Sequence, residues 1–130
     1  MKFALSIQGS PFTSNSLWSA LKFAQACLND GHHIHRVFFY HDAVLVANAL
    51  QAPPQDEMHL TAAWQDLGQT HELDLCLCVA SCLRRGILDD SEAHRFEKTA
   101  SNLAPGFNIS GLGQLIEASL VCDRVVTFGA

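Results

Sequence analysis

The sequence Glu-Leu-Asp-Leu-Cys-Leu-Cys-Val-Ala-Ser-Cys-Leu-Arg-Arg-Gly, residues 72–86, holds three of the five cysteines of the chain. Its first part, Leu73–Val79, is almost entirely apolar, which predicts a parallel strand buried on both faces. Ala80–Arg85 predicts a short helix that Gly86 ends. Cys78 then lies at the carboxyl end of a strand, where α/β sheets gather ligands and reacting groups. Cys78 is therefore a candidate nucleophile, and the alternative is a buried structural thiol, since free cysteine is among the most buried residue types.

The two neighbouring cysteines have different expected positions. Cys76 precedes Cys78 by two residues, so both side chains point to the same face of the strand, and Cys76 is interpreted as core packing. Cys82 follows by four residues, one helical turn on, where it either supports a reactive sulfur or fills a small apolar space. Positive charge for activating the thiol is available from Arg84 and Arg85 or from a histidine of another loop.

The composition predicts one globular domain, residues 1–130, with room for a substantial core. Hydrophobic residues make up 48% and charged residues 16%, and this apolar content predicts that partner chains cover part of the surface. The formal net charge of -5, without a run of basic residues, argues against direct nucleic-acid binding. Five cysteines without a secretory signal predict a reducing cytoplasm, and no apolar stretch reaches the ~20 residues of a membrane helix.

Apolar runs, caps and turns predict strands and helices in alternation, which is typical of an α/β fold with a mostly parallel five-stranded sheet. The first two strands flank one helix, and this spacing requires a right-handed crossover between parallel neighbours. The predicted strands are Lys2–Gln8, His33–Tyr40, Leu73–Val79, Phe107–Ile109 and Arg124–Phe128. The predicted helices cover 17–28 (ended by Gly31), 43–50, 60–67 and 80–85, and a further helix, capped by Asp89, Asp90 or Ser91, carries the apolar residues of 93–103. A last helix begins at Ser110, with Leu112, Leu115, Ile116 and Leu120 along one side.

Two further groups of residues have both a functional and a structural interpretation. The loop 9–16 follows the first strand, where flavodoxin-like proteins hold a phosphate, but it lacks the glycine pattern of a nucleotide site and favours a capped turn. The three histidines of residues 32–35 begin a strand, about 20 Å from Cys78 at ~3.3 Å per residue, so no shared metal site is expected. His41 follows its strand at the same edge as Cys78 and is either a surface residue or a group that approaches the thiol.

Six short segments together resemble the DsrE/TusD family of sulfur-relay subunits, and the resemblance covers the whole chain. They are Gly31-His32, Arg36-Val-Phe-Phe-Tyr-His-Asp42, Cys78-Val-Ala, Leu83-Arg-Arg-Gly-Ile87, Ser110-Gly-Leu-Gly-Gln114 and Cys122-Asp-Arg-Val-Val126. The resemblance implies a flavodoxin-like three-layer fold and a persulfide-carrying cysteine at the start of the Cys-Val-Ala motif, which is Cys78. It implies no role for Cys76 or Cys82.

The resemblance also implies partners and a pathway. It implies a cytoplasmic heterohexamer with two smaller subunits of TusB and TusC type, or of DsrH and DsrF type. Sulfur would arrive from a TusA-type donor and leave to a TusE- or DsrC-type acceptor. The TusD branch hands sulfur toward 2-thiouridine at the tRNA wobble position and the DsrE branch belongs to sulfur oxidation, and the sequence is slightly closer to TusD. A relay of this kind needs a reactive thiol and no cofactor or metal.

Two other classes of function remain open from the sequence. One is a non-catalytic assembly subunit that only presents a surface to partners. The other is a flavodoxin-like binder of a small ligand. A sulfur adduct at Cys78 after exposure to a persulfide donor selects the relay.

Overall fold

The fold is built on one five-stranded sheet, described here from a computed structural model of residues 1–130. The strands are β1 Lys2–Ile7, β2 His33–Phe39, β3 Leu75–Cys78, β4 Phe107–Ser110 and β5 Arg124–Phe128. Their order is β4-β3-β2-β1-β5, and all four neighbouring pairs are parallel. The predicted α/β class with a parallel five-stranded sheet is confirmed.

Five α-helices and one 3-10 helix connect the strands. They are α1 Ser16–Asn29, the 3-10 helix His41–Ala47, α2 Leu60–His71, α3 Val79–Arg84, α4 Asp90–Arg95 and α5 Gly113–Val121. Gly31 and Gly86 follow α1 and α3 with φ of 83° and 71°, a left-handed conformation that glycine adopts without a Cβ clash. Both glycines therefore end their helices, as the sequence predicts. No helix combines the length and the apolar content that a membrane crossing requires.

The two faces of the sheet carry different numbers of helices, and the direction in which each connection crosses the sheet explains why. The steps from β1 to β4 all run the same way across the sheet, so right-handed crossovers place α1 to α4 on one face. The step from β4 to β5 runs back across the whole sheet, so α5 lies alone on the other face. This order differs from the 2-1-3-4-5 order of flavodoxin itself. A helix of nine residues is therefore the only one that covers the second face.

The cores on the two faces differ greatly in size. The main core, under α1 to α4, contains 21 buried residues, whereas the face under α5 has a buried cluster of only three. The alternation of side chains along β3 explains the division. Leu75 and Leu77 point into the main core, and Cys76 and Cys78 point to the α5 face, where they pack with Phe38. The two cysteines therefore share one face, as predicted.

The helix predicted to run to residue 103 is wrong beyond residue 95, whereas its predicted cap at Asp89 is confirmed by a bond from the Glu92 N–H to the Asp89 side chain. It ends at Arg95, and Glu97 has a left-handed φ of 55° that breaks the helical path. Leu103 instead forms an antiparallel bridge with Asn48, a contact between distant segments that helical spacing cannot reveal. Two other elements are shorter than predicted: β3 begins at residue 75 instead of 73, and residues 43–50 contribute to a 3-10 helix that ends at residue 47.

The last helix also begins later than predicted. Ser110 is the final residue of β4, where it pairs with Cys78, and α5 starts three residues on at Gly113. Ala118 is buried against the sheet and Leu115 is partly buried, whereas most of the predicted apolar stripe faces outward. The exposed members are Leu112, Ile116 and Leu120, which are 46%, 61% and 80% exposed.

Candidate functional site

Cys78 lies at the junction of β3 and α3, at the carboxyl edge of the sheet. It is the last residue of the strand and the N-cap of the helix, with φ -64° and ψ 122°. The residue is only 2% exposed. Its buried neighbours are Phe38 and Cys76, and the partly buried side chains of Tyr40 and Leu115 pack against this cluster. Cys78, the predicted nucleophile, thus lies at the predicted edge of the sheet, but its side chain is buried.

The other two cysteines of the segment are held as thiols by burial. Burial raises the pKa of Cys76 to about 11, although a hydrogen bond from the Ser110 side chain opposes part of this rise. Burial raises the pKa of Cys82 to about 12, and that residue belongs to the main core on the opposite face from Cys78. All five cysteines are free. Sulfur chemistry requires a thiolate, and burial opposes thiolate formation at both residues. Their environments are therefore those of packing residues.

The cationic side chains considered for activating Cys78 are directed elsewhere. The Nε of Arg85 donates to Asp42 Oδ1 at 2.8 Å, and its Nη1 donates to the Ser81 carbonyl at 3.1 Å. Arg84 is exposed at the end of α3. The positive charge of Arg85 is thus compensated by a carboxylate, and neither arginine supplies a hydrogen bond to the thiol.

His41 does lie at the same edge as Cys78. Its backbone N–H donates to Ser81 Oγ at 3.0 Å, and Ser81 is in the helix that Cys78 caps. The imidazole is exposed and stacks edge-on against Tyr40, with ring centroids 4.0 Å apart. The contact between the two loops is therefore made by the His41 backbone, and the ring touches the aromatic residue that covers the cysteine cluster.

A network of charges under α5 was not evident from the sequence. Arg36 of β2 donates from Nε to Asp74 Oδ2 at 2.7 Å and from Nη1 to Glu117 Oε2 at 2.5 Å. Asn108 donates to the second oxygen of Asp74 at 2.7 Å, and His35 lies 3.1 Å from Glu117. Hydrogen bonds from His35 and Arg36 lower the pKa of Glu117. In the sequence, the only indications of this network are one carboxylate, Asp74, beside the apolar residues of β3, and one arginine, Arg36, among the apolar residues of β2.

The histidines at the start of β2 and the hydroxyls of the loop after β1 are the remaining candidate groups. His32 lies 2.9 Å from the Met1 amino group, so it does not join His35 in one site, and no three metal-ligating side chains are grouped together. In the loop after β1, Ser14 Oγ accepts from the Ser16 N–H at 3.1 Å. A Cβ at Gly9 would lie 2.2 Å from Ser16 Oγ, so the hydroxyls of the loop fill the space beside this glycine. The N-cap residue Asn15 makes no side-chain hydrogen bond to α1, however, and Ser16 Oγ is buried without a hydrogen-bond partner, so the capped turn expected here is only partly formed.

The sequence is similar to that of one known protein family. Residues 1–128 match the model of the DsrE/DsrF-like family. The chain is 50% identical to the DsrE protein of Allochromatium vinosum over 129 residues, which cover 99% of each chain. It is also 50% identical to sulfurtransferase TusD of Salmonella dublin over 128 residues, which cover 98% of this chain and 100% of the relative.

The solved structure of the ychN protein from E. coli has the same fold. Its TM-score is 0.79 at 23% identity, and the match covers 98% of this chain and 99% of that one. The names of the sequence relatives agree with the predicted sulfurtransferase activity. The chain therefore belongs to the DsrE/DsrF-like family, as its sequence motifs predict.

Proposed function

We propose that this protein is a persulfide-carrying sulfurtransferase subunit of a sulfur relay, with Cys78 as the sulfur carrier. The observation that carries the proposal is the 50% identity, over 98% of the chain, to relatives named sulfurtransferase TusD. The position of Cys78 supports it, because the residue joins a strand end to a helix N-terminus at the edge where α/β proteins bind ligands.

The proposed chemistry is two successive exchanges at sulfur. The Cys78 thiolate attacks the terminal sulfur of a donor persulfide, the donor S–S bond breaks, and the donor leaves as a thiolate. The acceptor thiolate then attacks the terminal sulfur of the Cys78 persulfide and releases the Cys78 thiolate. One sulfur atom moves in each step without net oxidation, so the reaction needs no further redox partner.

The surroundings of Cys78 suit a carried persulfide. Reactive sulfur is oxidised more readily when it is exposed, and Cys78 is nearly fully buried in a cluster with Phe38 and Cys76, against which Tyr40 and Leu115 pack. Cys76 is kept as a thiol by its raised pKa, so it competes poorly for the carried sulfur. An apolar cover therefore allows the persulfide to persist between donor and acceptor.

We infer that the relay operates in the cytoplasm within an assembly of related chains. The family points to smaller subunits of TusB and TusC type, a TusA-type donor and a TusE-type acceptor, with transfer toward tRNA wobble 2-thiouridine. The exposed apolar face of α5, formed by Leu112, Ile116 and Leu120, supports contact with such subunits. The equal identity to a DsrE protein favours a second candidate, a DsrE-type subunit in sulfur oxidation with DsrH- and DsrF-type partners and a DsrC-type acceptor.

The test is sulfur loading of the full-length chain with glutathione persulfide, followed by peptide mass spectrometry. We expect a gain of about 32 mass units, one sulfur atom, on the peptide that contains Cys78, and its removal by an acceptor thiol. Cys78→Ser should abolish both loading and transfer. Cys76→Ser, on the same strand and face, is the matched control and should retain them.

The burial of Cys78 favours one alternative, a non-catalytic assembly subunit. A thiol that is 2% exposed and never uncovered would only pack the fold. In that case the persulfide donor would leave Cys78 unmodified in the intact chain, and Cys78→Ser would leave transfer by the assembled complex unchanged.

A further inference from the structure

Cys78 is covered in the folded chain, whereas sulfur exchange requires direct approach of one sulfur to another. One of the two covering side chains belongs to Tyr40, whose backbone is fixed to the sheet by the bond from its N–H to the Ile7 carbonyl at 2.8 Å, and whose ring packs on His41. The other covering side chain is Leu115, which belongs to α5. Because α5 is the only helix on this face, it is the part of the cover that can move without disturbing the main core.

The connection from β4 into the first residue of α5, Gly111-Leu112-Gly113, contains two glycines that the folded conformation does not require. Neither glycine has a positive φ. A Cβ added at either position would meet no atom within 4 Å. Glycine at such positions lowers the stability of the folded state, because it loses more backbone freedom on folding than alanine. What the two glycines supply is the freedom to adopt a second backbone conformation.

A small polar contact holds α5 against the sheet. Arg36 Nη1 donates to the Gln114 carbonyl at 2.9 Å and to Glu117 at 2.5 Å, while its Nε remains bound to Asp74. The Glu117 side chain is 45% exposed and that of Arg36 is 13% exposed, so water screens the carboxylate end of the pair and reduces its contribution to stability. Opening of α5 therefore breaks two contacts of Arg36 and the 3.1 Å contact between His35 and Glu117, and it leaves the bond of Arg36 to Asp74 intact.

We propose that α5 is a lid, hinged at Gly111 and Gly113, that opens to expose Cys78 to the sulfur of a partner protein. This inference rests on the proposed function, since it assigns the opening to sulfur exchange. In the closed state Leu115 covers the cysteine cluster and Arg36 holds the helix. In the open state the first turn of α5 moves away from the sheet and the thiol becomes accessible at the carboxyl edge.

The first test compares the rates at which iodoacetamide alkylates Cys78 and Cys82 in the reduced full-length chain, resolved by peptide mass spectrometry. Cys82 is buried in the main core on the opposite face, so its rate reports opening of the whole fold. A lid predicts that Cys78 reacts at least about tenfold faster than Cys82, because local opening requires less free energy than global unfolding. Equal rates for the two cysteines would overturn the proposal.

The second test restricts the hinge. Gly111→Ala and Gly113→Ala fit the closed conformation, and each should slow alkylation of Cys78 by about twofold to fivefold, the usual difference between glycine and alanine. Gly129→Ala is the matched control, because a Cβ there also meets no atom within 4 Å, and its rate should equal that of the unaltered chain. An unchanged Cys78 rate in a variant that combines Gly111→Ala with Gly113→Ala, with thermal stability retained, would contradict a hinge at this segment.

The third test weakens the latch. Glu117→Gln removes the charge that Arg36 holds, and we expect Cys78 to be alkylated about twofold to fivefold faster, in line with a half-exposed ion pair. Asp42→Asn removes a different surface ion pair, with Arg85, and should leave the rate unchanged. A slower or equal rate in Glu117→Gln would refute the latch.

Alkylation requires no sulfur donor, so these outcomes are independent of the proposed function. If Cys78 opens locally but never accepts sulfur, the lid stands and the relay assignment is wrong. If Cys78 accepts sulfur but is alkylated only as fast as Cys82, the relay stands and the lid is wrong.

Discussion

Alkaline pH should destabilise this fold, because two thiols stay protonated inside it. The pKa of Cys76 is raised to about 11 and that of Cys82 to about 12, from an ordinary value of 9.0. In the unfolded chain both thiols ionise near the ordinary value. Between pH 9 and 11 the folded state therefore binds more protons than the unfolded state, and the free energy of unfolding falls as pH rises.

The magnitude follows from the ionisation of the unfolded chain. At pH 10, one unit above the ordinary pKa of 9.0, ionisation stabilises the unfolded state by about 1.4 kcal/mol for each thiol. Cys76 and Cys82 together account for a loss of about 3 kcal/mol between pH 7 and pH 10. This is a substantial part of the 5–15 kcal/mol that stabilises a typical domain. The result depends little on how far the folded pKa values rise above pH 10.

The assay is urea unfolding under reducing conditions at pH 7 and pH 10. Cys76→Ala and Cys82→Ala should each be less stable than the unaltered chain at pH 7, because both remove buried volume. Each variant should, however, lose about 1.4 kcal/mol less than the unaltered chain between the two pH values. Equal pH-dependent losses in the unaltered chain and in Cys82→Ala would refute the assignment of Cys82 as a buried neutral thiol.

Two further properties can be tested directly. Gly68→Ala should destabilise the fold by about 1–2 kcal/mol, since a Cβ there would lie 2.9 Å from Cδ1 of buried Leu75, while the higher helix propensity of alanine offsets about 1 kcal/mol of the overpacking cost; thermal unfolding should show no such loss in the Gly129→Ala control. The isolated chain should self-associate through the exposed face of α5 and form one discrete complex with its smaller relatives, and Leu120→Lys should shift the isolated chain toward monomer in size-exclusion chromatography. A clean monomer of the unaltered chain at micromolar concentration, unaffected by those relatives, would contradict this expectation.

Local features of the site were predictable because they follow from short-range chemistry. The apolar run of residues 73–79 identifies a buried strand, and the alternation of its side chains places Cys76 and Cys78 on one face. The glycines at 31 and 86 identify the ends of two helices. The position of Cys78 at the carboxyl end of β3 needs no more information than this.

The errors in the prediction come from contacts between distant segments. The pairing of Leu103 with Asn48 ends the helical pattern that residues 93–103 suggest. The pairing of Ser110 with Cys78 keeps Ser110 in β4 and delays the start of α5. Periodicity measures only neighbours along the chain, so it cannot reveal which of two compatible conformations a distant partner stabilises.

The sequence by itself determined the class of fold, the family and the position of the candidate nucleophile at a strand end, because each depends on local patterns or short motifs. Only the tertiary structure decided that Cys78 is covered and what covers it. The strand order leaves α5 alone on one face, and Arg36 joins Asp74 and Glu117, which lie 38 and 81 residues away along the chain. Chain topology brings these groups together, and no local periodicity specifies the order of the strands that does so.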